Sequence, residues 1–278
     1  MRQVTIATVQ MKPQLGEMED NLLAMSNWIK QIATEQKVDL IVFPELITTG
    51  YECGVGFTDF AQRVPGPSVN LIAQRASSFG VNVAFGLVTK ERVESVLHNT
   101  LVLIGPDGDL VGQYHKVHLR GEERMTFRPG FRYTVLEADF GAVGLVLGWD
   151  LAFPEVARSL ALEGAEILVV AANWDKDHDD EWRTYLRARA YENTVFVAAA
   201  NRVGEEPSYS FAGDSAVIGP RGQVYASLAG ETDPDSGEPI EGYVVAQIDL
   251  DDVRRFREDF QLFQYRDPAS YRSIVKKY

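Results

Sequence analysis

Glu45, Lys116 and Gly148 stand where chemistry would be done, and the third of them has no side chain. Residues 142–147 form a short apolar, β-favouring run that reads as a buried strand, and Pro154 sits where the first turn of a helix tolerates a missing N–H. Residues 155–163 continue as helix, with Gly164 as a left-handed terminator. A strand, a sharp bend and a helix N-terminus present one side chain and several backbone N–H groups to a single point. In Leu147-Gly148-Trp149-Asp150 that side chain would belong to Gly148, so the layout is a nucleophile-bearing turn with no nucleophile in it.

Two other segments supply charge. The apolar strand 39–43 ends in Pro44-Glu45, placing a carboxylate at the carboxyl end of a buried strand, where ligands bind in open α/β architectures. Tyr114-His115-Lys116-Val117-His118-Leu119 follows another strand, and Glu123 lies seven residues beyond Lys116. A carboxylate, an ammonium and a nucleophile position on three strand ends would suit acyl transfer if they converge.

These residues carry a family resemblance. Phe43-Pro44-Glu45, the 114–119 segment with Glu123 and Phe127-Arg128-Pro129-Gly130, and Asp150 with Phe153-Pro154-Glu155 resemble, in order, the signature blocks of the nitrilase superfamily of carbon-nitrogen hydrolases. The likeness extends through Arg189-Ala190-Tyr191-Glu192-Asn193, Asn201-Arg202-Val203-Gly204 and Gly213-Asp214-Ser215, so it covers most of the chain from Val4 to about Leu250. It implies a Glu-Lys-Cys triad that hydrolyses amide or nitrile bonds, with the cysteine seven residues before Glu155. That position is Gly148, the one departure from the pattern.

The resemblance implies roles residue by residue. Glu45 would be the general base, Lys116 would stabilise the oxyanion with the backbone N–H of Trp149, and Glu123 would orient the lysine and the substrate amide. Gly148 would leave the acyl group without an acceptor, giving an inactive variant whose pocket still binds. A lineage released from catalysis would let the charged residues drift. Their retention with intact surroundings favours a deliberate substitution over a natural pseudoenzyme that binds amides or recruits a partner.

Other residues have blander readings beside the sharp ones. Cys53, the only cysteine, lies in the glycine-rich loop 50–56 with no bend to aim it, and reads as a small apolar filler more readily than as a displaced nucleophile. The acidic run 175–180 reads as helix-dipole complement before a helix starting near Glu181, with no second ligand group for a metal. His115 and His118 either tune the charge of Lys116 or satisfy local hydrogen bonds. Trp149, Asn173 and Trp174 fall at strand ends, where they either shape a substrate pocket or belong to core or interface.

Helical spacing over 21–37 and over 68–79, the latter with Ser68 as cap and Gly80 as terminator, precedes strands at 40–43 and 81–87. The second half repeats the theme with a helix from Pro154, a strand at 167–172, a helix at 181–192 and a strand at 194–200. Leu103-Ile104-Gly105-Pro106-Asp107-Gly108 echoes Val217-Ile218-Gly219-Pro220-Arg221-Gly222, each a strand entering a Gly-Pro turn. Duplicated halves of this kind predict an α/β fold, a four-layer αββα sandwich of two mixed sheets with outer helices, which the resemblance also implies.

At 278 residues and 45% hydrophobic content, without a Ser/Pro-rich linker, the chain reads as a single domain over 1–278, with 230–242 as a polar surface loop. The aromatic tail 251–278 is expected to pack on a partner subunit in a homodimer or higher homo-oligomer, or else on its own domain. Net charge of −13 argues against nucleic acid as a partner. No apolar run reaches membrane-spanning length and Met1-Arg2-Gln3 leads straight into a strand, so a cytoplasmic, cofactor-free protein with a small-molecule partner is expected. Among relatives implied by the resemblance, nitrile-hydrolysing members carry Trp-Glu after the nucleophile and run longer, whereas this chain has Trp149-Asp150. An amidase for small aliphatic amides is the first expectation. N-carbamoyl amino acid hydrolysis, which needs a cation for the substrate carboxylate, and nitrile hydrolysis are the alternatives.

Overall fold

The computed structural model describes residues 1–92 and 96–276. In chain order the first half contains β1 (Gln3–Gln10), α1 (Met18–Glu35), β2 (Leu40–Val42), α2 (Phe57–Phe60), α3 (Pro67–Phe79), β3 (Asn82–Lys90), β4 (Leu97–Ile104), β5 (Leu110–His115) and α4 (Glu123–Thr126). The second half contains β6 (Val135–Ala138), β7 (Gly141–Leu147), α5 (Pro154–Leu162), β8 (Ile167–Ala172), α6 (Asp179–Asn193) and β9 (Phe196–Asn201). It continues through β10 (Val203–Glu205), β11 (Ser210–Ala212), β12 (Ala216–Ile218), β13 (Val224–Ser227), β14 (Gly242–Asp249) and α7 (Asp251–Phe260).

Two six-stranded mixed sheets result, ordered β14-β1-β2-β3-β4-β5 and β13-β12-β9-β8-β7-β6. Period-two alternation assigns each strand residue to a layer. In β2, Leu40 and Val42 face the core between the sheets, while Ile41 and the adjacent Phe43 join the outer core beneath α1 and α3. In β8, Ile167, Val169 and Ala171 face inward while Leu168, Val170 and Ala172 pack under α5 and α6. Strands covered on both faces read as unbroken apolar runs, which is why 167–172 was legible as a buried strand. The expected four-layer sandwich is the observed one.

Element edges differ where a local device intervenes. Helix α1 begins at Met18, before the expected Asn21, and stops at Glu35 because Gln36 turns extended. Ser68 is not the cap of α3: Gly66 occupies that position, Pro67 opens the helix, and the Ser68 N–H is taken by the Gln62 side chain. Gly80 ends α3 in the left-handed region as expected. Helix α6 starts at Asp179, before the expected Glu181, and Asp175 instead caps a short 3-10 turn ahead of it. The echoed hairpins β4–β5 and β12–β13 share their irregularity, a register shift at Leu103/Ile104 and at Val217/Ile218.

The tail divides into two parts. Val253 of α7 is buried, Arg221 lies 3.6 Å from the centroid of Phe260, and Phe263 packs against the α5/α6 core, so this part rests on its own chain. Tyr265, Ile274 and Val275 are exposed. Among the described residues no helix is long and apolar enough to cross a membrane.

Candidate active site

The parallel pairs β2/β3 in one sheet and β7/β8 in the other bring several carboxyl ends to one edge of the sandwich, and antiparallel β4 starts there. Glu45 follows β2 through Phe43, whose N–H donates to Ala84, and its backbone lies so close to β3 that a Cβ on Gly86 would come within 2.6 Å of the Glu45 Cα. Gly86 is therefore the residue that lets the Glu45 turn sit against the sheet. Lys116 leaves β5 with its N–H donating to Asn99 and its carbonyl accepting from Gly130. Gly148 follows β7 at φ +42° and opens a 3-10 turn running to α5.

These strand ends converge. Lys116 Nζ donates to Glu45 Oε1 and to Glu123 Oε1, at 2.7 Å each, with all three side chains almost fully buried. Asn99 Nδ2 donates to the same two carboxylate oxygens, at 2.7 and 3.1 Å. Backbone N–H groups hold the far oxygens: Asn173 N donates to Glu45 Oε2 at 3.0 Å, and Arg120 N to Glu123 Oε2 at 2.9 Å. A Cβ built on Gly148 would lie 2.5 Å from Glu45 Oε2 and 3.0 Å from Lys116 Nζ. Position 148 therefore faces the carboxylate and the ammonium at once.

One ammonium between two desolvated carboxylates sets the electrostatics. Burial pushes Glu45 above the usual carboxylate range, against the pull of Lys116. Burial works against the charge on Lys116 too, but Glu123 and Glu45 override it and hold the lysine above its ordinary value. The result is a permanent cation beside a carboxylate able to take and return a proton.

The surrounding cavity, about 120 Å³, is lined by Glu45, Lys116, Glu123, Gly148, Trp149, Asn173 and Trp174, which are the sequence-expected residues, together with Tyr51, Arg120, Gly121, Asp175, His178 and Tyr209. Trp174 serves both readings, lining the cavity while packing at 5.6 Å on Trp182 in the outer core. Cys53 lies outside this lining: its thiol donates to Thr49, and burial, with Glu206 nearby, pushes its pKa up to about 11, so it is no thiolate at neutral pH. His115 turns away from Lys116 to Thr100 and stacks on His98; burial and that neighbour lower it to about 4. His118 donates its backbone N–H to the buried Asp150, whose carboxylate also contacts His118 Nδ1 and accepts from Tyr114. Asp150 thus ties the 116–118 segment to the turn at 148.

The carbon-nitrogen hydrolase family model matches residues 5–258. The chain belongs to that family. It is 39% identical over 274 residues to a probable nitrilase of Schizosaccharomyces pombe, covering 97% of this chain and 98% of that one. It is 30% identical over 261 residues to the 2-oxoglutaramate amidase of Bacillus subtilis, covering 93% and 96%. The crystal structure of a carbon-nitrogen hydrolase from Helicobacter pylori G27 superposes with a TM-score of 0.90 at 26% identity, covering 99% of each chain. In this carbon-nitrogen hydrolase, sequence reasoning passed over Asn99, Asp150 as a tie, Arg120 and the Tyr51–Tyr209 pair. No local signal marks Asn99, which stands between His98 and Thr100 and shows its role only through burial beside the two carboxylates.

Proposed function

We propose that this fold is built for amidase chemistry on small amides, that position 148 is the nucleophile's seat, and that Gly148 leaves a binding pocket without turnover. The observation that carries the reading is the approach of a residue-148 Cβ to both Glu45 Oε2 and Lys116 Nζ. With cysteine there, Glu45 would take the thiol proton as sulfur attacks the amide carbon. The carbonyl oxygen would gather charge against Lys116 and the Trp149 N–H. Glu45 would return the proton to the departing ammonia, then deprotonate water to hydrolyse the thioester, releasing the carboxylic acid and freeing the thiol. Glu123 would fix the lysine and the amide; Trp149, Asn173 and Trp174 would shape the acyl pocket. Loss of a nucleophile costs turnover on the order of a million-fold, while ground-state binding survives.

A second reading, hydrolysis of N-carbamoyl amino acids, gains support from Arg120. Its guanidinium lies 5.7 Å from the centroid of Trp149 at the cavity, where the carboxylate of such a substrate would need a cation. We further propose that the exposed Tyr265, Ile274 and Val275 are covered in a homo-oligomer.

Gly148→Cys assayed for ammonia release from short aliphatic amides, carbamoyl amino acids and nitriles, beside the chain as it stands, tests the reading. Release by the cysteine variant alone, fastest on aliphatic amides, is the expected result. Fastest release from carbamoyl amino acids selects the second reading. Silence with a correctly folded variant would favour a binding module.

A further inference from the structure

One wall of the cavity is assembled from both halves of the chain. Tyr51 comes from the loop after β2, and Tyr209 from the turn between β10 and β11; their rings meet edge to face at 5.3 Å, and both line the cavity. What joins the two loops is a buried ion pair outside the cavity lining. Glu206, 1% exposed at its side chain, accepts from the Tyr51 N–H at 3.0 Å and the Glu52 N–H at 2.7 Å, while pairing with the guanidinium of Arg202, whose side chain is 0% exposed. The reciprocal bond runs from Ser208 N to Glu52 Oε2 at 2.8 Å. Arg202 is held in turn at 4.4 Å from the Phe211 centroid, and Phe211 lies 6.3 Å from the Tyr51 ring. Gly50, at φ +82°, completes the fit: a Cβ there would stand 2.8 Å from Glu206 Oε1.

We propose that the Arg202–Glu206 pair is a positioning device that fixes the Tyr51–Tyr209 wall against the Glu45, Lys116 and Glu123 centre, and so sets how tightly substrate is held. A carboxylate buried this deeply needs its full complement of donors, and here two of them are the backbone N–H groups of the wall loop itself. The loop therefore cannot shift without stripping donors from a buried charge, so it is locked as firmly as the pair that faces it. Neither Arg202 nor Glu206 lines the cavity, so neither is a catalytic residue.

The inference rests on the amidase reading only for its kinetic arm. Two variants serve: Glu206→Gln, and the double variant Arg202→Met with Glu206→Gln, which removes the unpaired buried charge that could unfold the single variant. In the chain as it stands, amide exchange at Tyr51, Glu52 and Ser208 should accelerate on the order of a hundredfold while the strands β8 and β9 keep their protection. In the Gly148→Cys background with propanamide, KM should rise about tenfold or more with a smaller change in kcat. Unchanged exchange at 51 and 52, or acceleration spread evenly over the whole chain, would overturn the proposal, as would a local acceleration with unaltered KM. Absence of turnover in the Gly148→Cys parent would refute the amidase reading and leave the exchange rates to decide the clamp.

Discussion

The turn after β2 and the turn after β7 reach the same edge of the sandwich from buried apolar strands, yet they are finished in opposite ways. At the first, both carboxylate oxygens of Glu45 are spoken for, Oε1 by Lys116 and Asn99 and Oε2 by the Asn173 backbone. At the second, Gly148 contributes backbone alone, at a left-handed φ of +42°. The contrast indicates that the charged side of this site is ordered by its own hydrogen bonds and does not depend on a nucleophile for its geometry. A pocket wired in this manner holds its shape without a side chain at position 148.

The largest expected effect comes from breaking the wired side. Lys116→Met leaves Glu45 and Glu123 as neighbouring buried carboxylates without their cation, and should cost about 3–5 kcal/mol in urea unfolding of the chain as it stands. Asn99→Ala removes one donor shared by both carboxylates; in a Gly148→Cys background it should lower kcat/KM by about 10–100-fold, the worth of a hydrogen bond to charge. On the unwired side, Gly148→Ala should destabilise by about 1–3 kcal/mol, because any Cβ meets both the left-handed backbone and Glu45 Oε2.

Titration sharpens the same contrast. Glu45 must be ionised to act as a base, and burial raises it, so the acid limb of kcat/KM in Gly148→Cys should lie above pH 4.5. Asn99→Ala should move that limb further up, since its amide holds the ionised form. The same upward shift makes Glu45 favour folding below its unfolded value and forfeit that contribution as pH rises through its folded value. Glu45→Gln should accordingly flatten part of the decline in denaturant midpoint as pH rises above 4.5. Smallest of all, Cys53→Ser, outside the cavity lining, should leave amide hydrolysis by Gly148→Cys within about twofold.

Much of this was legible in the chain. The β7 strand, the bend at 148 and Pro154 announce themselves by local rules of apolar runs and helix starts, as do Glu45 after a buried strand and Lys116 after another. The sandwich followed from alternating elements and from the echoed Gly-Pro turns, which share even their register shift. What sequence could not supply were partnerships across long separations. Asn99 reaches Glu45 over 54 positions, and Glu206 reaches Tyr51 over 155. Neither residue differs locally from an ordinary polar residue in a strand or turn. Gly86 reads as a weak point in a strand until the Glu45 backbone is seen pressed against it. Ser68 was misread because a side-chain acceptor from Gln62 does a capping residue's work from outside the helix.

The central claim is that position 148 is where the acyl group is meant to be carried. The direct measurement is peptide mapping by mass spectrometry of Gly148→Cys, acid-quenched seconds after mixing with propanamide. The account predicts a propanoyl increment on the peptide containing residue 148 and none on Cys53. An increment on Cys53, or ammonia release with no acyl group at 148 at any quench time, would contradict it.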